Sequence, residues 1–131
     1  MALESGRWEM ITEQNYDAFL KAVNVGMIQR TLAAKEKPTE VLTITDDRWE
    51  LTVQTALNTY KQSFVLGEPT DFGGDAGQTG TVTVSKDLDT LTEVRTTTGG
   101  QSTVVKKYTS YGMEATFTAG GVMATRVYKR L

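Results

Sequence analysis

The sequence predicts an all-β fold in which about ten short antiparallel strands close into a barrel beneath two short helices. Threonine accounts for 22 of the 131 residues, and threonine, valine and tyrosine favour the pleated, half-buried surface of a strand. Turn signals recur along most of the chain at about the 8–12-residue spacing of antiparallel hairpins. Helical periodicity is confined to residues 15–37. The length fits a single domain over residues 1–131.

Two short helices are predicted after a first strand at residues 7–13. Asn15 is the expected cap of the first helix, and apolar residues follow it at helical spacing: Tyr16, Phe19, Leu20 and Val23. The spacing resumes after Gly26, at Met27, Ile28, Thr31 and Leu32. It ends before Pro38, because the residue preceding a proline is driven out of the α region. Two such helices cannot enclose a core alone, so their apolar faces must cover another layer.

The other strands are predicted from alternation and from turn signals. Apolar and polar residues alternate over residues 49–57 and 113–119, and the last strand occupies Val122–Arg130. The turn signals are Asp46-Asp47, Gly67-Glu68-Pro69, Gly73-Gly74, Asp87-Leu88-Asp89, Gly99-Gly100, Tyr111-Gly112 and Gly120-Gly121. So many up-and-down strands indicate closure into a barrel, although a β-sandwich whose inner faces meet also fits the pattern. About eight strands already enclose room for one small ligand, so ten should leave a cavity.

The chain contains neither cysteine nor histidine. Their absence excludes disulfides, thiolate and imidazole metal sites, and Ser–His catalytic pairs. We therefore expect no metal, no cofactor and no enzymatic activity. The net charge is −2 without a basic run, so we expect no nucleic-acid partner. Neither the first seven residues nor any later window resembles a secretory signal or a membrane span, which predicts a cytoplasmic protein, compatible with entry into the nucleus.

Two polar residues of the last strand share one face. Period two places Arg126 and Tyr128 on the same side as Ala124. If that side points into the barrel, the buried guanidinium requires an anion, and with the tyrosine hydroxyl it forms an anion-binding site. The alternative is that both side chains face solvent as ordinary strand surface.

The segment GRWEMITEQNYDAFLKAV at residues 6–23 resembles the N-terminal signature of the intracellular lipid-binding proteins, the family of fatty-acid-binding and cellular retinoid-binding proteins. The similarity continues without gaps through Val25-Gly26, Arg30, Lys37-Pro38, residues 63–68 and residues 125–128. It implies a ten-stranded antiparallel up-and-down barrel of two near-orthogonal sheets, with a helix-turn-helix lid at about residues 15–37. It also implies a water-containing cavity for one or two long-chain lipids.

The resemblance further implies a carboxylate site. In family members that bind fatty acids, an arginine and a tyrosine on the last strand, with a cation or amide from two strands earlier, hold the ligand carboxylate. Here these positions carry Arg126, Tyr128 and Lys106. Lys106 stands where arginine or glutamine is usual, and lysine offers a point charge instead of a planar fork. Alternation supports its placement, because Lys106 shares a face with Tyr108 while Lys107 points the other way.

A second polar site is expected at Glu93 and Arg95. The family register turns both inward, and because an unpaired buried charge is costly, we expect them to meet each other or a partner across the cavity. Leu57, Asn58 and residues 75–78 replace bulkier or more basic residues at the family's usual entrance. The expected cavity wall and portal comprise Tyr16, Phe19, Val25, Leu32, Ala33, Val53, Thr55, Leu57, Ala115 and Phe117.

These patterns predict a monomeric, non-enzymatic carrier that reversibly binds a long-chain fatty acid. The alternative is a carrier of a retinoid, a bile acid or another bulky hydrophobic ligand. A third hypothesis is a lid that makes transient contact with anionic membrane through Lys21, Arg30, Lys35 and Lys37. An enzyme is the weakest hypothesis, because the pair of Glu93 and Arg95 is better explained as a structural ion pair.

Overall fold

Ten strands and two helices follow one another in the computed structural model, which describes residues 3–56, 58–73 and 79–131. The elements are β1 (Gly6–Gln14), α1 (Tyr16–Ala22), α2 (Met27–Ala33), β2 (Thr39–Thr45), β3 (Arg48–Gln54), β4 (Thr59–Val65), β5 (Thr70–Gly73), β6 (Thr79–Asp87), β7 (Thr90–Thr97), β8 (Gly100–Tyr108), β9 (Gly112–Ala119) and β10 (Val122–Arg130). The predicted all-β class, with ten strands and two lid helices, is confirmed.

All ten strands join one antiparallel ladder in the order β4-β3-β2-β1-β10-β9-β8-β7-β6-β5. The first and last strands of the chain, β1 and β10, pair with each other inside this ladder. Its two outer strands, β4 and β5, face each other across the remaining gap, where the Gln62 side-chain amide donates to the backbone oxygen of Asp71 at 2.7 Å. The ladder is therefore a nearly closed barrel, and the β-sandwich alternative is wrong.

Helix α1 closes one side of the barrel with its apolar face. Phe19 and Leu20 are each about 1% exposed, and the ring of Phe117 on β9 lies 5.2 Å from that of Phe19 and 5.1 Å from that of Tyr16. Asn15 occupies the N-cap position as predicted, but in the left-handed conformation and without a side-chain cap bond. Its amide instead donates to the backbone oxygen of Met123 at 2.9 Å, which ties the helix to β10.

Helix α2 packs with the face opposite to the predicted one. Met27 and Ile28 are 72% and 74% exposed, whereas Ala33 on the other side is buried. Arg30 holds this helix by hydrogen bonds, because its guanidinium donates to the Val25 backbone oxygen at 2.7 Å and contacts Asp17 of α1 at 3.1 Å. The prediction that the apolar stripe of α2 covers the core is therefore wrong. Within the described ranges, no helix is long and apolar enough to span a membrane.

Candidate functional site

The barrel encloses a cavity with about 730 Å³ of empty space, including its opening. Strands from both halves of the ladder contribute to its wall, and Tyr16 reaches it from helix α1. Its described lining comprises Tyr16, Glu40, Leu51, Val53, Tyr60, Gln62, Phe64, Phe72, Gly73, Val82, Val84, Glu93, Arg95, Lys106, Phe117, Arg126 and Tyr128.

A chain of four charged groups, three of them buried and the fourth, Arg95, partly buried, crosses the cavity wall. The Lys106 ammonium lies 3.2 Å from Glu40 Oε1 and 3.1 Å from Glu93 Oε2. The other oxygen of Glu93 accepts two hydrogen bonds from Arg95, from Nε at 3.0 Å and from a terminal nitrogen at 2.9 Å. Charges from β2, β7 and β8 are thus joined in one network. Because each charge faces at least one opposite charge, the barrel can hold them out of water.

The electrostatics of this network keep Glu93 and Lys106 ionised. Burial raises the pKa of Glu93, but the attraction of Lys106 and of Arg95 outweighs burial and lowers that pKa to about 2. Burial likewise lowers the pKa of Lys106, and the carboxylates of Glu40 and Glu93 more than compensate, so that it lies well above its usual value. Lys106 is therefore a fixed cation inside the barrel.

A second ion pair lies beside the lid. Arg126 Nε donates to Glu13 Oε2 at 3.0 Å, and the Arg126 guanidinium carbon lies 3.5 Å from the centre of the Tyr16 ring. Such stacking of a guanidinium on an aromatic face is stabilising. Tyr128 is buried two residues further along β10, where burial and the negative charge of Glu40 raise the pKa of its phenol well above the usual value. Tyr128 therefore keeps its proton and can donate a hydrogen bond.

A β-bulge in β1 explains why Glu13 reaches Arg126. The register between β1 and β10 shifts between Met10 and Thr12, with Ile11 as the extra residue. Strict alternation from the buried Met10 would turn Thr12 inward and Glu13 outward. The bulge reverses this order, and Glu13 lies directly opposite Arg126 in the ladder.

Arg95 also lies close to two aromatic rings. Its guanidinium carbon lies 4.5 Å from the centre of the Phe72 ring and 6.0 Å from that of Phe117. Phe72 belongs to β5, one of the two strands that border the gap in the ladder. Arg95 therefore connects the internal charge network to the wall beside this gap.

The structure brings the three residues of the predicted carboxylate site into one cavity. Arg126, Tyr128 and Lys106 are each at most 3% exposed, and all three line it. This arrangement contradicts the alternative in which Arg126 and Tyr128 face solvent. Glu93 and Arg95 line the same cavity and pair with each other, as expected of two buried charges.

The predicted wall residues fall into several groups. Tyr16, Val53 and Phe117 line the cavity, whereas the following are buried but lie outside its described lining: Phe19, Val25, Ala33 and Ala115. Thr55 is half-buried in the turn after β3, where its hydroxyl bonds to the backbone of Asn58. Leu57 and residues 75–78 lie outside the described residues.

Leu32 requires a correction. It is 46% exposed and does not belong to the described wall of the cavity. The reason is the orientation of α2, which turns its Arg30 and Ala33 side toward the rest of the protein and its apolar stripe toward solvent.

Sequence reasoning missed two carboxylates, Glu13 and Glu40. Glu40 shares a strand face with Leu42 and Ile44, so alternation could have placed it inside the barrel. Its partner Lys106 lies 66 positions away along the chain, and the sequence offers no signal for that pairing. Glu13 was hidden by the bulge, which breaks the alternation that the prediction relied on.

A sequence model of the lipocalin / cytosolic fatty-acid binding protein family matches residues 5–130 of the chain. The chain belongs to this family. The resemblance inferred from residues 6–23 is thereby confirmed. Membership in the fatty-acid binding family agrees with the barrel, the two-helix lid and the internal cavity described above.

Individual relatives align with this protein over almost its whole length. A fatty acid-binding protein from Clonorchis sinensis is 33% identical to this chain, in an alignment that covers 95% of this chain and 96% of the relative. Sodium/calcium exchanger regulatory protein 1 from Doryteuthis pealeii is 27% identical, in an alignment that covers 97% of this chain and 96% of that protein. The structure of a Schistosoma mansoni fatty acid binding protein in complex with arachidonic acid matches with a TM-score of 0.95 at 25% identity, covering 100% of this chain and 98% of that one.

Proposed function

We propose that this protein is a cytoplasmic, non-enzymatic carrier that reversibly binds one long-chain fatty acid inside its barrel. The observation that carries the proposal is the convergence of Arg126, Tyr128 and Lys106 on one enclosed cavity. In this proposal the guanidinium and the ammonium attract the ligand carboxylate, and the Tyr128 hydroxyl donates to it. The fatty acid-binding relatives and the arachidonic acid complex of the Schistosoma protein support this ligand class.

The apolar wall and the polar residues contribute differently to binding. Burying about 14 methylenes at roughly 0.8 kcal/mol each provides on the order of 11 kcal/mol, against an association cost of about 4 kcal/mol or more. The lipid tail therefore supplies most of the affinity. Each charged hydrogen bond adds about 1.5–3 kcal/mol to the binding free energy before desolvation is subtracted. The polar residues therefore determine which headgroup is preferred and fix its position.

The test is displacement of a fluorescent fatty acid from delipidated protein by a long-chain acid and by the alcohol of equal length. We expect saturable binding of the acid below about 10 μM, the affinity that the tail alone supports. Arg126→Ala should weaken the acid about tenfold or more, because a charged hydrogen bond is lost, and should change the alcohol little. Lys129→Ala is the matched control, since Lys129 is an exposed cation on the same strand.

Two results would contradict this proposal. If neither the acid nor the alcohol saturates the protein, the barrel is not a carrier of long-chain lipids. If Arg126→Ala weakens the acid and the alcohol equally, Arg126 does not hold the carboxylate.

A second candidate ligand is a hydrophobic molecule with an uncharged headgroup, such as a retinoid alcohol. It is favoured by the ion pairs described above, because the cations at Lys106, Arg95 and Arg126 already have carboxylate partners. The same pair of displacement curves distinguishes the two candidates, since this ligand class predicts that the alcohol binds more tightly than the acid. Mass spectrometry of lipid extracted from freshly purified protein would identify the occupant directly.

A further inference from the structure

Among the residues that the structure describes, the charges of the ion pairs at the cavity balance one another. Three cations, Lys106, Arg95 and Arg126, are paired with three carboxylates: Glu40, Glu93 and Glu13. A fatty acid that enters as an anion would bring a fourth carboxylate into a site with three cations. An uncompensated charge out of water is costly. We therefore expect that binding of the anion requires one of the protein carboxylates to give up its contact with a cation.

Glu13 is the carboxylate that can leave most easily. Its side chain is 26% exposed, compared with 8% for Glu40 and 9% for Glu93. Glu93 is also held from two sides, by Lys106 and by two hydrogen bonds from Arg95. Glu13 is the second-last residue of β1, and its side chain is already partly in contact with water.

The position of Glu13 matters because its partner is Arg126, the arginine to which the ligand carboxylate is assigned under the proposed function. Glu13 accepts from Arg126 Nε at 3.0 Å. A ligand carboxylate that uses this edge of the guanidinium competes with Glu13 for the same donor. The exchange concerns the Nε donor of Arg126, whereas the contact with the Tyr16 ring is made at the guanidinium carbon, 3.5 Å from the ring centre.

We propose that Glu13 is an internal competitor for the lipid carboxylate and thereby determines headgroup specificity. This inference rests on the proposed binding of fatty acids. Glu13 accepts a hydrogen bond from Arg126 in the structure; in this proposal a fatty-acid carboxylate replaces Glu13 at Arg126, and Glu13 turns to solvent. A lipid with an uncharged headgroup leaves the Glu13–Arg126 pair intact. Glu13 therefore reduces the affinity of the barrel for acids relative to its affinity for uncharged lipids of equal length.

The experiment compares Glu13→Gln with wild-type protein in the acid and alcohol displacement assay described above. The substitution keeps the size of the side chain and removes its charge. We expect the acid to bind about two- to fivefold more tightly, the size expected when a partly exposed ionic competitor is removed, and the alcohol to bind as before. The matched control is Glu114→Gln on β9, which removes the same charge from the outer surface of the barrel and should change neither affinity.

A structure of the wild-type protein with bound fatty acid provides an independent readout. We expect a ligand oxygen at Arg126 Nε and the Glu13 carboxylate turned away from it. The inference is overturned if Glu13 stays on Arg126 in that complex, or if Glu13→Gln leaves the acid affinity unchanged or strengthens acid and alcohol equally. These results differ from a failure of the proposed function, which would appear as the absence of saturable acid binding by the wild-type protein.

Discussion

The Lys106 ammonium lies 3.1 Å from the Glu93 carboxylate in the wall of the cavity, and both side chains are shielded from solvent. Arg95 on the other oxygen of Glu93 and Glu40 on the far side of Lys106 extend the contact into a network. The stability of the barrel and the polarity of its interior therefore depend on the same residues. A ligand headgroup enters a cavity whose polar wall is already ordered by ion pairs.

Protonation of Glu93 should destabilise the fold in acid. Its pKa is about 2 in the folded protein against 4.5 for the unperturbed group. A lowered folded-state pKa contributes stability that is fully present above 4.5 and is lost as the pH falls toward 2. The difference corresponds to about 3 kcal/mol. Urea unfolding of the wild-type protein across this acidic range should show the decline.

Glu93→Gln tests the assignment of this decline. The variant should be less stable near neutral pH and should lose less stability than the wild type as the pH falls, because the titrating group is gone. If both proteins show equally steep declines, other carboxylates carry the acid sensitivity. Glu114→Gln, on the outer surface, should retain the decline of the wild type.

Removal of the Lys106 charge should lower the free energy of unfolding, whereas removal of the neighbouring Lys107 charge should change it little. Lys106→Met leaves Glu40 without its ammonium partner at 3.2 Å, and breaking a buried ion pair costs about 3–5 kcal/mol. Lys107→Met removes an identical charge from an exposed position on the same strand, where substitutions change stability by about 0.5 kcal/mol or less. Chemical denaturation near neutral pH measures both. Equal effects of the two substitutions would contradict the structural role assigned to Lys106.

Helix α2 should tolerate a charge on its apolar stripe. Ile28 is 74% exposed, so Ile28→Glu should change the free energy of unfolding by about 0.5 kcal/mol or less. Leu20 of α1 is about 1% exposed, and Leu20→Ala should cost about 2–5 kcal/mol because it leaves a cavity beneath the lid. Thermal or urea unfolding distinguishes the two positions. A large loss of stability in Ile28→Glu would mean that the apolar face of α2 is packed after all.

Local patterns in the sequence predicted the strands and helix α1, because alternation and helical spacing are properties of neighbouring residues. Alternation also placed Arg126 and Tyr128 on one face of the last strand, but the prediction that this face points inward came from the family resemblance. The position of Glu13 could not be predicted, since a bulge depends on how two strands pair and not on one strand alone. The prediction of how α2 is oriented was wrong for a related reason. An apolar stripe marks one face of a helix, but here the hydrogen bonds of Arg30 accompany packing of the opposite face.

Gly99 should be required where the lid meets the turn between β7 and β8. A Cβ atom at this position would lie 1.7 Å from the backbone oxygen of Val23 at the end of α1, so either the turn or the helix must move. Gly99→Ala should cost about 1–3 kcal/mol, as overpacking does. Gly73→Ala is the matched control, since a Cβ there meets no atom of the described part of the chain within 4 Å and the substitution should cost much less. If thermal unfolding shows that both substitutions are equally mild, the lid can move away from this turn without loss of stability, and the close approach does not fix its position.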